Sequence, residues 1–329
     1  MKDISALDLM PLSIDDILQG VEVPLDLYIR LSDEKFVLVA KAGSKPQIDQ
    51  LKNYQNKSVA YVWVQQKDFY KLAHQAAQIA GIALSRKDLS DQVKTTFVTH
   101  SARSVFSQLG NMGMNLEVYN NARQVTEAVI SLTEGHNSFS QMLESLKATS
   151  DVLLAHSVAV SAISVMIGQE LGYEKRATLE KLALGGLLHD VGIKALPKEL
   201  LSKSIANMTT DEIHIWETHA FKGMQMLQSL GVVPEDIISI VYEHHENSIG
   251  QGFPNRIRDV KMHPLAKIVA LANAFVDMIL PNINSPSTKN PREAILYIEI
   301  TLGTPFNKEA FRALKRIVEG GSKSSSKAG

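Results

Sequence analysis

The pattern of hydrophobic positions divides the chain near residue 89, with both strands and helices predicted before that point and helices alone after it. Four apolar residues alternate with other residues at the period of a β-strand: Leu25, Leu27, Ile29 and Leu31. The apolar runs KFVLVA (35–40) and VAYVWV (59–64) predict two more strands, and SDE (32–34) between the first two runs would close a hairpin. Helical patterns occupy 46–54 and the segment from Asp68 onward. Residues 1–89 are therefore predicted to form a small α/β domain with an accessory or regulatory role.

From residue 90 onward the apolar residues recur at helical spacing. Residues 90–149 are interpreted as a helical connector, and residues 150–319 as an all-helical domain. The tail at 320–329 (GGSKSSSKAG) has the composition of a disordered segment. The predicted fold class is α+β overall, a small N-terminal α/β domain followed by an all-α bundle.

The composition indicates a soluble globular protein. Hydrophobic residues make up 45% and charged residues 21%, and the net charge is −1, so no basic surface favours a nucleic-acid polymer as partner. The segment MKDISALDLM does not resemble a secretory signal, and no window of 18 uncharged apolar residues predicts a membrane span. We expect a cytoplasmic protein without a membrane contact, and the N-terminal domain could dock a protein partner.

The distribution of histidine gives the first indication of chemistry. The chain contains no cysteine, which excludes thiolate metal sites and cysteine nucleophiles. It contains 10 histidines, and most lie between His156 and His263. An HD pair (189–190), a single His219, an HH pair (244–245) and His156 would bring ligands from four helices to one centre, where the two oxygens of Asp190 can bridge two cations. The remaining histidines are assigned to structure or surface: His74, His100, His136, His214 and His263.

Six segments in order resemble the HD-GYP domain, a branch of the HD metallophosphohydrolases. They are HSVAV (156–160), LLHDVGIKALP (187–197), THAFKG (218–223), EHHENSIGQGFP (243–254), PLAKIVALANAF (264–275) and GTPFNKEAF (303–311). The resemblance covers residues 150–318. It implies an HD-type helical bundle with a centre of two or three metal ions, often iron, that hydrolyses cyclic di-GMP, a bacterial second messenger. It also implies seven metal-ligand positions: His156, His189, Asp190, His219, His244, His245 and Asn273.

Several positions depart from the pattern of that family. Phe253 replaces the tyrosine of GYP, so the hydroxyl is lost while the ring and the flanking Gly252 and Pro254 remain. The family's lysine position holds Ile193, and Lys194 follows one place later. Its late aspartate is Asn273 here, and Asp277, one helical turn on, is the rival ligand.

Two further departures bear on the number of ions and on substrate binding. Val152 stands where a third metal ion would need a glutamate, which favours two ions over three. Ile249 replaces an acidic residue, and the arginine-rich segment after the late aspartate is absent. Substrate contacts are therefore assigned to Lys194, Gly252, Phe253, Pro254 and Arg256, with Arg258 and Lys267 as further candidate cations.

The expected activity is hydrolysis of the phosphodiester by a hydroxide that bridges two divalent ions, with iron expected and manganese as the alternative. Asp190 would bridge the ions, and Lys194 or a water would protonate the leaving oxygen. Glu243 and Glu246 flank the histidine pair and are candidates to orient the imidazoles. The alternative is a weak or inactive module that binds the nucleotide or a partner. Hydrolysis of another phosphoester is a third possibility.

Overall fold

The computed structural model describes residues 9–17, 21–32, 35–47, 61–134, 138–147, 151–285, 287–303 and 305–320. Within them an antiparallel sheet near the N-terminus precedes a series of helices, which confirms the α+β fold class. The chain forms two compact units, residues 1–86 with 100–125 and residues 87–99 with 126–329. The domain boundaries expected from the sequence stay predictions. His136, the tail after residue 320 and nearly all of the helix expected at 46–54 lie outside the described residues.

The sheet contains four antiparallel strands in the order β1-β4-β2-β3. Their bounds are β1 (Leu9–Ser13), β2 (Leu27–Arg30), β3 (Phe36–Ala40) and β4 (Tyr61–Gln65). Strands β2 and β3 pair directly, with Arg30 opposite Phe36, in the antiparallel arrangement expected of a hairpin. One face of the sheet is buried because Leu12, Leu27 and Val62 share a hydrophobic core with Phe69 and Leu72.

Strand β1 was not expected from the sequence. Pro11 lies at its centre, opposite Trp63 of β4. A proline cannot donate a hydrogen bond to a ladder, so the run LMPLS does not read as a strand. The strand is nevertheless possible because β1 lies at the edge of the sheet, where one side of its backbone needs no partner.

Four helices follow the sheet: α1 (Tyr70–Ser85), α2 (Asp91–Met112), α3 (Leu116–Thr133) and α4 (Ser138–Lys147). Helix α1 buries a stripe of small residues that includes Ala73, Ala76, Ala77 and Ala80, at the spacing of one helical face.

The remaining elements form the helical bundle. Their bounds are α5 (Val152–Glu170), α6 (Arg176–Leu188), a 3₁₀ helix (Val191–Ala195), α7 (Lys198–Leu201), α8 (Thr210–Gln228), α9 (Glu235–Glu243), α10 (Pro264–Ile279), α11 (Pro291–Leu296), a π-helical turn (Tyr297–Thr301) and α12 (Lys308–Glu319). Helix α8 begins at a reciprocal capping box between Thr209 and Glu212, which satisfies backbone N–H groups at its first turn.

Helix α5 is the buried centre of the bundle. Among the described residues it is the one helix long and apolar enough to cross a membrane, but 78% of its most apolar window is buried inside the protein. It packs closely on α6, because a Cβ added to Gly186 would lie 2.8 Å from the Cα of Ser161. The Ser161 hydroxyl donates to the Ala183 carbonyl across the same contact, at 2.7 Å. These contacts fix His156 of α5 relative to the end of α6.

Candidate metal centre

The histidines expected to bind metal converge from four helices. His156 lies on α5 and His219 on α8, whereas His189 and His244 are the residues at which α6 and α9 end. All four are buried. Asp190 and His245 directly follow the two helix ends, and the α-helical conformation does not continue beyond them. The HD and HH pairs are therefore carried by helix ends, which lets both members of each pair face one point.

Asp190 joins two groups of candidate ligands. One group is His156, His189 and Asp190, and the other is Asp190, His219, His244 and His245; within each, the ligand atoms lie within 4.8 Å of one another. Asp190 Oδ2 lies 3.1 Å from His189 Nε2 and 3.9 Å from His156 Nε2. Asp190 Oδ1 lies 3.4 Å from His219 Nε2 and 3.5 Å from His244 Nε2. Each carboxylate oxygen thus faces a different set of imidazoles.

Three imidazole rings are oriented by backbone carbonyls three residues earlier. The Nδ1 atoms of His189, His219 and His244 lie 2.8, 2.7 and 2.7 Å from the carbonyl oxygens of Gly186, Trp216 and Val241. A carbonyl can only accept, so each Nδ1 carries a proton, and each ring in its neutral form keeps a lone pair on Nε2. For His189 and His244 these carbonyls lie in the last turn of a helix, where they lack a helical partner.

Burial favours the neutral form of most of these rings. It lowers the pKa of His156 and His219, lowers that of His244 to about 4, and lowers that of His245 well below its ordinary value. His189 differs: burial opposes its charge, but the adjacent Asp190 carboxylate outweighs burial and raises its pKa. The pKa of Asp190 is lowered well below its ordinary value despite burial, chiefly by His189. Asp190 is therefore an ionised carboxylate among mostly neutral imidazoles.

This donor set fits divalent metal ions. The Nε2 atoms of His219 and His244 lie 3.2 Å apart, and both rings are neutral with Nδ1 protonated, so two lone pairs face each other. Asp190 Oδ1 is buried beside them and accepts no hydrogen bond from the described residues. A buried polar atom without a partner is costly, and a cation between these atoms would satisfy all three. Imidazole nitrogen with carboxylate oxygen suits iron, manganese or zinc.

Both candidates for the late ligand approach His156. The Asn273 side chain is buried on α10 and hydrogen-bonds His156. One turn later, Asp277 Oδ1 lies 3.5 Å from His156 Nδ1, and its side chain is 49% exposed. Val152, where a third ion would need a carboxylate, is 45% exposed at the start of α5. Asn273 as the seventh ligand stays a prediction.

An aromatic wall adjoins the second ligand group. Phe253 stacks on His245, with ring centroids 4.3 Å apart and an interplanar angle of 26°. The Trp216 ring lies 4.7 Å from His219 and 5.7 Å from Phe253, both edge to face. Trp216 was not expected from the sequence, although its position three residues before His219 on one helix puts both on the same face.

Gly252 allows the chain to reach this wall. A Cβ at that position would lie 2.2 Å from the His245 carbonyl oxygen and 2.5 Å from the Cα of Glu246. The Phe253 amide donates to the same His245 carbonyl at 3.3 Å. Glycine is therefore required for the close approach that stacks Phe253 on His245.

The two glutamates beside the histidine pair hold backbone rather than imidazoles. Glu246 is buried, and its carboxylate accepts from the amides of Asn255 at 2.6 Å and Ile257 at 3.1 Å. Glu243 accepts from the His263 amide at 2.6 Å. Glu246 fixes the segment that follows Phe253 and Pro254, and Glu243 fixes the start of α10. Both glutamates therefore support the site through the backbone.

The candidate substrate cations lie at the surface. Lys194, on the 3₁₀ helix after Asp190, and Arg256 are both exposed. Lys267 pairs with Asp259 at 3.1 Å. Lys194 and Arg256 stay predictions as phosphate contacts, and neither belongs to the ligand groups.

The other histidines of the bundle lie outside the centre. His214 is exposed beside Glu217, and the imidazole of His263 caps α10 and faces Asp236 at 3.5 Å. Both fit the structural or surface role expected for them.

Comparisons with known proteins agree with this geometry. The family model for the HD domain matches residues 124–306. Cyclic di-GMP phosphodiesterase PA4108 of Pseudomonas aeruginosa is 24% identical over 282 residues, 82% of this chain and 67% of that protein. PdeB of Borreliella burgdorferi and RpfG of Xanthomonas campestris pv. campestris, also named cyclic di-GMP phosphodiesterases, are each 25% identical over 41% and 48% of this chain. Those matches span 35% and 41% of the two relatives.

A solved structure shows the same fold. Bd1817, a HDG"Y"P protein from Bdellovibrio bacteriovorus, superposes with a TM-score of 0.67 and 21% identity, covering 95% of this chain and all of that one. The family match covers more than half of the chain, and the structural likeness extends along nearly all of it. The chain therefore belongs to the HD domain family, and the resemblance of its sequence to the HD-GYP branch is confirmed, with phenylalanine in place of the GYP tyrosine.

Proposed function

We propose that this protein is a metal-dependent phosphodiesterase that hydrolyses cyclic di-GMP in bacterial second-messenger signalling. The observation that carries the proposal is the placement of Asp190, whose two oxygens face separate groups of imidazoles. Three relatives named cyclic di-GMP phosphodiesterases support the choice of substrate. A cytoplasmic location and a protein contact through residues 1–89 stay predictions.

The residues present would hold two divalent ions, iron or manganese. His156, His189 and Asp190 Oδ2 would bind one ion, with Asn273 as the further candidate ligand. His219, His244, His245 and Asp190 Oδ1 would bind the other. When bound, such ions would lower the pKa of water and so supply hydroxide near neutral pH, and they would neutralise charge on the phosphoryl oxygens.

The protein's own groups prepare this chemistry. The backbone carbonyls that hold three Nδ1–H groups keep the Nε2 lone pairs directed at the centre. Phe253 and Trp216 offer aromatic surface beside His245, against which a guanine base can pack. Exposed Lys194 and Arg256 are the candidate cations for the second phosphate, and Lys194 or a water protonates the leaving oxygen.

The test combines metal analysis with product analysis. Protein purified without chelators and loaded with Mn²⁺ should bind two ions and hydrolyse cyclic di-GMP to a linear product, measured by chromatography. Asp190→Asn should retain fewer ions and lose at least about 100-fold in rate, because a neutral amide cannot bridge two cations. His214→Gln, at an exposed histidine, is the matched control and should behave as wild type. Equal rates for wild type and Asp190→Asn would refute the assignment.

A second function is binding of the nucleotide or a partner without turnover. Phe253 supplies no hydroxyl, Ile249 supplies no carboxylate, and the Lys194 side chain is exposed. Stoichiometric binding of cyclic di-GMP by the metal-loaded protein, with no product after long incubation, would favour this function. Turnover of another phosphoester but not of cyclic di-GMP would favour the third possibility.

A further inference from the structure

His156 is oriented differently from the other buried rings of the centre. In His189, His219 and His244, Nδ1 faces a backbone carbonyl three residues earlier. His156 lies in the first turns of α5, and its Nδ1 faces a side chain instead, the carboxylate of Asp277 at 3.5 Å. The Nε2 of His156 points the other way, 3.1 Å from His189 Nε2. His156 thus lies between the centre and a carboxylate of α10.

The tautomer of His156 decides whether it can serve the centre. If Nε2 carried the proton, His156 would donate it to His189 and could not bind an ion. A carboxylate on the Nδ1 side favours the proton there and leaves the Nε2 lone pair free. The Asn273 amide also hydrogen-bonds His156, but an amide carries no charge to favour that orientation. Asp277 is therefore the carboxylate that faces this side of the ring.

Asp277 is not placed as a ligand. Its carboxylate belongs to neither of the two groups of ligand atoms that lie within 4.8 Å of one another. Its side chain is half exposed, one turn beyond the buried Asn273. A histidine that binds a metal ion through one ring nitrogen usually donates its other N–H to an acceptor such as a carboxylate.

We propose that Asp277 is a positioning residue whose carboxylate holds His156 with its proton on Nδ1 and its Nε2 directed at the centre. The inference rests on the metal centre of the proposed function. Carboxylates that orient a ligating histidine typically change metal affinity by about 10–100-fold. Asp277 acts through His156, so it should change the affinity for one ion without changing the number of ions at saturation.

The experiment compares Asp277→Asn, Asp277→Glu and Asp211→Asn with wild type. Asp211 is an exposed aspartate of α8 and is the matched control for loss of one carboxylate. Mn²⁺ binding is measured by calorimetry and by metal analysis at saturation. Asp277→Asn should weaken binding of one ion by about 10–100-fold and still hold two ions at saturating Mn²⁺. Asp277→Glu should recover part of the affinity, and Asp211→Asn should match wild type.

A second readout follows the proton itself. In Zn²⁺-loaded protein with nitrogen-15 histidine, the Nδ1–H of His156 is assigned by its loss in His156→Gln. This proton should exchange with water faster in Asp277→Asn than in wild type, because the carboxylate that faces Nδ1 is gone.

Two outcomes would overturn the proposal. Wild-type affinity and wild-type proton exchange in Asp277→Asn would show that the carboxylate does not act on His156. Loss of one ion even at saturating Mn²⁺, unrelieved in Asp277→Glu, would show that Asp277 is itself a ligand. Both readouts are independent of cyclic di-GMP hydrolysis, so failure of the proposed activity is separately visible.

Discussion

Gly192 links the HD pair to helix α8, and replacing it with alanine should disturb both stability and the centre. Gly192 lies two residues after Asp190 in the 3₁₀ helix. A Cβ there would lie 1.9 Å from the carbonyl oxygen of His219 and 2.5 Å from the amide nitrogen of Gly223. Both atoms are backbone, so no side chain can rotate away. The two segments would have to separate by roughly 1.5 Å to restore van der Waals contact.

This separation sets the expected magnitudes. Overpacking of an interior costs about 1–3 kcal/mol, and rigid backbone neighbours favour the upper end. For a unit of this size, about 3 kcal/mol corresponds to a fall in melting temperature of roughly 6–12 °C. Asp190 and His219 belong to one ligand group, and a displacement of about 1 Å at a reacting centre costs on the order of 100-fold in rate.

Thermal unfolding by circular dichroism, Mn²⁺ titration and hydrolysis of cyclic di-GMP test this prediction together. Gly81→Ala in α1 is the matched control, because a Cβ at Gly81 would contact nothing within 4 Å. The same substitution there should stabilise the protein by about 0.4–1 kcal/mol. If Gly192→Ala melted within about 1 °C of wild type, the close approach between the 3₁₀ helix and α8 would be wrong.

Three further substitutions test separate parts of the structure. Glu246→Gln should lower the free energy of unfolding by about 1.5–3 kcal/mol, since a buried carboxylate that accepts two backbone amides becomes an amide; chemical denaturation measures the loss. Phe253→Leu should weaken Mn²⁺ binding about two- to tenfold by removing the stack on His245, whereas Phe253→Tyr keeps the ring and should retain wild-type affinity. His100, whose pKa burial lowers to about 4, stays neutral in the folded protein while the unfolded chain takes up a proton below about pH 6.5. The melting temperature should therefore fall as pH drops from about 6.5 towards 4, less steeply in His100→Gln and as steeply as wild type in the exposed-site control His214→Gln. An unchanged slope in His100→Gln would contradict the neutral state of that partly buried ring.

The order of the histidine motifs was sufficient to anticipate the bundle and the convergence of the imidazoles. The spacing of apolar residues located the helices that carry them, and the HD and HH pairs could be recognised as parts of one centre. Strand β1 could not be anticipated, because Pro11 breaks the local pattern and only the neighbouring β4 makes an edge position available.

The orientation of each imidazole ring could not be predicted from the sequence either. Whether Nδ1 faces a carbonyl or a carboxylate depends on where α6 and α9 end and on the packing of α10 against α5. Glu246 shows the same limit: its position beside His245 suggested contact with an imidazole, whereas the fold of the following segment directs it to the amides of Asn255 and Ile257. These contacts depend on packing between segments that are distant in sequence, and the local spacing of residues does not predict that packing.

The termination of α6 at His189 and of α9 at His244 also shapes the electrostatic field at the centre. The C-terminal end of a helix carries a partial negative charge equivalent to about half an electron, from backbone dipoles that point the same way. Two such ends meeting at the ligands amount to roughly one further negative charge, held by backbone rather than by an acidic side chain. A ligand set with Asp190 as its shared carboxylate can in this way attract cations more strongly than its formal charge indicates.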